Sequence, residues 1–193
     1  MQSSAVRKLV WRQLGIVMLL AMVVSIWVGT INGDHHDIIR VLIKNNLPVL
    51  LPQSLILIVI LRQVLTFKSA ALLIGVRQQS DLIEKQLLLL AILSVSLYFG
   101  VYYGSFLLSG NQLFQDGSIV LGCLILGLRF LFLLILAILL IGGYRFFNPG
   151  LILVITLLAN FIYHYSFEMT YLLIKYAQIY DPVYRAIHHI YMT

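Results

Sequence analysis

The chain has 193 residues, 61% apolar and only 10% charged, with a mean hydropathy of +0.99. Soluble domains carry about 25% charged residues, so this sequence cannot coat a water-exposed surface, and a soluble enzyme or a disordered tail is excluded. The net charge of +6 is no nucleic-acid footprint, because Lys and Arg stand between apolar runs, where they act as topological signals. The expected fold is an all-α polytopic integral membrane protein, one transmembrane domain over residues 1–193, with five to six transmembrane helices. The partner of its surface is the lipid bilayer; no nucleic acid is expected.

A helix crosses the hydrocarbon layer with about 20 apolar residues, within about 17–25. The first span covers residues 9–30, with Trp11 and Trp27 as interfacial anchors. No small-residue cleavage site follows it, so it is expected to be retained. The connection 31–47 contains Ile38, Ile39 and Val41, which suit a short interfacial helix opening after Asp34 or Asp37. The second span covers 47–65, and Pro52 predicts a kink near its outer end. The third covers 86–108, the fourth 119–141, and the fifth 149–165, starting at a proline suited to a helix N-terminus. A segment at 167–180 contains Lys175 and is shorter, leaving a short sixth span open.

Between spans two and three, residues 70–76 form an apolar patch between Lys68, Ser69 and Arg77, predicted to be an amphipathic cytoplasmic helix. Ser80 and Asp81, followed by Glu84 and Lys85, suit the start of the next helix. Arg7, Lys8 and Arg12 lie before or at the start of the first span, Arg62 lies at the end of the second, Lys68, Arg77 and Lys85 lie in the connection after it, and Arg145 lies in the fourth connection. The opposite side has Arg40 and Lys44 in its first loop. This asymmetry predicts a cytoplasmic N-terminus.

The polar residues inside the spans are few. Arg129 sits ten residues into the fourth span, where a charge costs about 2.5–3.5 kcal/mol on insertion scales and marks a functional site by default. Glu168, a carbonyl or a dimer interface would compensate it; a structural tie between helices and a substrate contact both satisfy the pattern. Asn160 and His164 are one turn apart on the fifth span, placed for an interhelical hydrogen bond, although ordinary polar packing explains them too. With Arg129 as the deep polar inventory, catalysis lacks an acid–base pair, and no enzyme is expected. Asp34-His35-His36-Asp37 has ligand chemistry, but neighbours on an extended loop point to opposite sides, so a polar outward loop is preferred to a metal site. His188-His189 is a weaker signal of the same kind. Cys123 is the sole cysteine, which excludes a disulfide framework. No cofactor is expected. The aromatic cluster Tyr98, Phe99, Tyr102, Tyr103 and Phe106 is expected to form an interfacial belt. Gly100-x-x-x-Gly104, and Gly122 with Gly127, predict close helix contacts within or between subunits.

No phosphate-binding loop or dinucleotide fingerprint is present, so uphill transport would need energy from a partner or an ion gradient. The order of elements carries a resemblance. A basic N-terminus leads into span one, and a Pro-containing second span leads to Arg62-x(5)-Lys68-Ser69 and Arg77-x-x-Ser80. The Arg129 span and the turn Tyr144-Arg-Phe-Phe-Asn148-Pro149 follow. From about Arg7 to Tyr165 the chain resembles the small ABC-2-type permease subunits of Gram-positive ABC exporters, which are often linked to bacteriocin or lantibiotic export and immunity. The resemblance implies a bacterial plasma-membrane permease that moves a hydrophobic peptide or lipid-like molecule. It further implies a cytoplasmic ATP-binding subunit and a second permease copy or paralogue. Arg7, Lys8 and Arg12 would lie on an elbow helix. Lys68, Ser69, Arg77, Ser80, Asp81, Glu84 and Lys85 would form the segment that couples to the ATPase. Two other readings stand beside it. A substrate-capture subunit of a vitamin or metabolite importer has similar size, though the first span lacks the A-x-x-x-A face expected of it. A non-transporting immunity or accessory membrane protein is the third.

Overall fold

The computed structural model describes residues 2–32, 37–41, 46–74, 80–108, 113–144 and 148–188. Long apolar runs become long helices because lipid supplies no partner for a backbone N–H or C=O, and only intrahelical bonding satisfies them all. The chain forms α1 (Gln2–Asn32), α2 (Asn46–Ile74), α3 (Ser80–Leu108), α4 (Ile119–Gly142) and α5 (Pro149–Ile162). The fifth helix then widens into a π segment (Tyr163–Leu172) and tightens again as α6 (Leu173–Tyr176). A 3₁₀ turn (Gln178–Tyr180) and the short α7 (Pro182–Ile187) complete the described chain. Five helices are long and apolar enough to cross a membrane, so the chain is a multi-pass, all-α membrane protein.

Two boundaries differ from expectation. The fifth crossing runs unbroken for 28 residues, Pro149–Tyr176, absorbing most of the segment set aside for a sixth span. The helix ends at Ala177, whose φ and ψ are extended. The amphipathic piece between spans two and three is likewise not a separate helix. Residues 70–74 are the end of α2, because Leu, Ala and Ile simply continue the helix. Arg77 lies outside the described residues, as do Arg145, Lys44 and residues 34–36, and the side chains of Arg7, Lys8, Ser69, Ser80 and Asp81 are not described either. α3 begins at Ser80, where a helix start was expected.

The up-and-down order gathers the termini of the helices into two ends. Asp37, residues 113–118 and Tyr176 meet at one end. The other, the basic end, holds Arg12, Arg62, Lys68 and Lys85. α2 and α4 are central: both pack on α5, α4 also packs on α3, and α1 lies mainly against α3. Two apolar cores form. One, around Ile56, Leu57, Val95, Leu133 and Ala137, fills the basic half. The other, around Val28, Ile38, Ile39, Ile125 and Leu172, fills the far half. Leu19, Ile26, Leu131, Leu151 and Leu158 are exposed, as expected of side chains facing lipid.

The aromatic cluster on α3 does not form a belt. Tyr98, Phe99, Tyr102 and Phe106 are buried, with Tyr98 stacked on Tyr102 at 5.8 Å and Phe99 edge-on to Phe130 at 5.7 Å. The helix turns this face inward because the rings fill the volume beside Arg129, while Phe167 and Tyr171 on the fifth helix are exposed. Within the chain no neighbouring helix packs on Gly100 or Gly104: a Cβ at either would meet nothing within 4 Å, and the same holds at Gly127. Gly122 is the close contact, because the Phe114 ring occupies the place of its Cβ.

Candidate functional site: a buried charged network

The two apolar cores are separated by a polar layer. Arg129 projects from α4 between Ile125 and Leu133, and its side chain leans toward the N-terminal, far end of that helix, as helical side chains do. There Nη1 donates to Glu168 Oε2 at 2.8 Å, and Nη2 donates to Gln53 Oε1 of α2. The Tyr163 ring lies 5.7 Å from the guanidinium carbon, within cation–π range. His164 Nδ1 lies 2.9 Å from the same Glu168 oxygen, and His164 Nε2 lies 3.0 Å from the side-chain amide of Asn46. α2, α4 and the fifth helix are therefore joined in one network, α4 through Arg129 to Glu168 and α2 through Gln53 to Arg129 and Asn46 to His164. Arg129 is 5% exposed, Gln53 2%, and His164 and Glu168 0%, so lipid and water are both excluded from the cluster.

The fifth helix supplies this layer through its spacing. Thr156, Asn160, His164 and Glu168 are all buried and recur at every fourth residue, one face of a helix. Four-residue steps drift around an α-helix of 3.6 residues per turn. The π segment, with its wider turn, keeps His164, Glu168 and Leu172 on the inner face. Within it Thr170 Oγ1 donates to Tyr165 O at 2.6 Å, five residues back. π geometry is rare and concentrates at functional sites.

The hydrogen-bond geometry constrains the proton positions. Glu168 Oε2 is an acceptor, so the neutral His164 ring satisfies it with Nδ1–H. Nε2 then needs a donor, which the amide nitrogen of Asn46 provides, since its O and N assignments are interchangeable. A ring protonated on both nitrogens uses the Asn46 oxygen instead. Either orientation of the Asn46 amide keeps every partner in place. Several polar atoms around it have no protein partner: Glu168 Oε1, Arg129 Nε, both side-chain atoms of Asn160, and the hydroxyls of Tyr102, Tyr103 and Tyr163. A void of about 10 Å³ lies between Gln53, Tyr103, Arg129 and Glu168, the lower bound for one water molecule.

Of the intramembrane residues singled out in the sequence, Arg129 and His164 are brought together, and Glu168 is the compensating acid. Asn160 is buried one turn away but bonds to neither. The view of Arg129 as the deep polar inventory is corrected: Gln53, Asn160, His164 and Glu168 share its layer, and Gln13, Gln63 and Ser94 are buried nearer the basic end. Glu168 was among the partners the sequence offered for Arg129, whereas Gln53 was not, because it stands at the edge of an apolar run. The period-four polar stripe was the signal that pointed to Glu168. Among the described residues no three His, Cys, Asp or Glu side chains cluster as a metal site.

A second cluster closes the far end. Asp37 is 2% exposed. Its Oδ1 accepts from Ile39 N at 2.7 Å, capping a helical turn at 38–41, as the sequence suggested. Its Oδ2 accepts from Gln115 N, Asp116 N and the Tyr176 hydroxyl at 2.9, 2.7 and 2.7 Å. Tyr180 donates to Asp116 at 2.9 Å, and burial, then that bond, raises the Tyr180 hydroxyl above its ordinary range. Ile38, Ile39 and Val41 are buried in the far core rather than lying at an interface. Asp37 thus ties three connections together, and its lone pairs are used for backbone and phenol donors.

Comparisons with protein families, with curated proteins and with solved structures find no match for this chain.

Proposed function

We propose that the chain is the membrane-spanning subunit of an ABC exporter of a hydrophobic peptide or lipid-like molecule, driven by a separate cytoplasmic ATPase. The observation that carries the reading is the continuity of α2. One helix of 29 residues, about 43 Å long at 1.5 Å per residue, exceeds a hydrocarbon layer of about 30 Å. Near one end it carries Asn46 and Gln53, bonded to His164 and Arg129. At the other it carries Lys68 and residues 69–74, which with the start of α3 form a helical hairpin beyond the candidate spans. A force applied to the hairpin reaches the buried network through a single rigid element. The network is then the latch of the closed state: α2, α4 and the fifth helix part along it when the pathway opens.

Eight Lys and Arg at the basic end stand against Arg40, Lys44, Lys175 and Arg185 at the far end, which supports a cytoplasmic hairpin; the bacterial plasma membrane is the location the exporter reading implies. The coupling surface in this reading is Lys68, Ser69, Arg77, Ser80, Asp81, Glu84 and Lys85, with Arg7, Lys8 and Arg12 on the entry helix and a second permease copy or paralogue across the pathway.

One observation favours the accessory reading as runner-up. The latch is closed on every side, with space for a single water, so a purely structural tie has the same geometry. Affinity purification from native membranes separates the two. The transporter reading expects an ATP-hydrolysing subunit to co-purify, and expects Lys68→Glu with Lys85→Glu to release it. A complex that survives both charge reversals ends the docking assignment.

A further inference from the structure

Away from the network, α1 and α2 diverge at the basic end and leave a cleft of about 290 Å³, lined by Arg12, Gln13, Arg62, Gln63 and Thr66 with Ile16 and Val59. We infer that this cleft binds the phosphate of an anionic phospholipid headgroup. Three features carry the inference. Arg12 and Arg62 are exposed, one from each helix, and among the described residues neither pairs with a carboxylate. Two guanidiniums converging on one open cleft make a phosphate-recognition arrangement, because their planar forks match phosphate oxygens. The floor also offers a donor: Gln63 is 5% exposed, and its Nε2, buried, has no partner. Gln13 beside it is held by Ser94, to which its Nε2 donates at 3.4 Å, so the floor is fixed from the α3 side.

The source of the phosphate follows from depth and surroundings. Arg12 lies in the first turn of the first candidate span, and Arg62 lies six residues before the end of the second. Trp11, 68% exposed, marks the interfacial level where indole rings settle. Toward the membrane centre the cleft is flanked by exposed Ile16, Leu19 and Ile58, an apolar surface that takes the acyl chains of a lipid whose headgroup sits between the arginines. Basic pockets between transmembrane helices bind anionic headgroups by this combination. The inference does not depend on transport, and its failure would leave the latch untouched.

Trp11 is a built-in reporter, since Trp27 is the sole other tryptophan and Trp27→Phe isolates it. The full chain is reconstituted in phosphatidylcholine vesicles containing a minor share of phosphatidylglycerol, with bromine on the acyl chains of one lipid or the other, and Trp11 quenching is measured. Brominated phosphatidylglycerol is expected to quench beyond its share of the bilayer. The preference is expected to fall about fivefold for each of Arg12→Gln and Arg62→Gln, in line with the contribution of a basic residue near an anionic surface. Arg12→Lys with Arg62→Lys, which keeps the charge and the fold, is expected to retain part of it, and Gln63→Leu to weaken it. Quenching in proportion to bulk composition, or a preference that survives the double glutamine variant with its helical circular dichroism intact, overturns the inference. So does loss of the preference on adding inorganic phosphate but not chloride of equal ionic strength, because the cleft would then select soluble phosphate.

Discussion

At the scale of single residues, the Arg129–Glu168 contact decides the character of the molecule. Two opposite charges removed from water need each other more than the protein needs the pair. Removing one partner of a buried ion pair costs about 3–5 kcal/mol because the survivor is stranded, whereas replacing both with apolar residues is often neutral. Arg129→Leu is therefore expected to lower stability by that amount in thermal unfolding in detergent, and Arg129→Leu with Glu168→Leu to recover most of it. A single variant as stable as the parent would show that His164 alone compensates Glu168. Under the proposed exporter function the double variant also separates roles: stability restored without restored export would make the charges part of the working cycle.

At the scale of elements, glycines set the close approaches, Gly117 against Tyr176 and Gly122 against Phe114. A Cβ at Gly122 would overlap the Phe114 ring, which caps the first turn of α4 from the preceding loop. Gly122→Ala is expected to cost about 1–3 kcal/mol, the range for overpacking a filled site, and Phe114→Leu in the same chain to return most of it. Unfolding midpoints of the single and double variants check the coupling. Gly100→Ala serves as the control, since its Cβ enters open space. The helices themselves were legible because an apolar run of about 20 residues needs no tertiary partner to become a span. The π segment was not, because its wider turn exists only to keep His164 and Glu168 on the face that meets Arg129.

At the scale of the whole molecule, the Asp37 clasp binds the far ends of the helices and carries a pH signature. Tyr180 has a raised folded-state pKa from burial, the Asp116 bond and the nearby Asp37, opposed by Arg40. A raised value means the folded state holds its proton more firmly. Its contribution is fully present below the unfolded tyrosine value of about 10 and is lost as pH climbs from there toward the folded value. The parent chain is expected to lose stability more steeply above that pH than Tyr180→Phe, measured as unfolding midpoint against pH. Parallel slopes would remove Tyr180 from the clasp. The same scale contains the proposed docking of an ATPase on the hairpin at the end of α2, which the co-purification experiment tests.

Membrane class, five spans and the basic asymmetry were all determined by composition and local runs, since burial in lipid is decided residue by residue along each helix. Arg129 and His164 stood out for the same reason: a polar group in hydrocarbon is costly wherever it points. Which partner relieves that cost is not a local property. Glu168 meets Arg129 across 39 positions and Gln53 meets it across 76, and neither separation leaves a mark on the intervening chain. The inward aromatic face of α3 and the cleft between Arg12 and Arg62 depend likewise on how helices rotate against one another. Only packing chooses that rotation, because in lipid an apolar side chain is equally at home facing outward or inward.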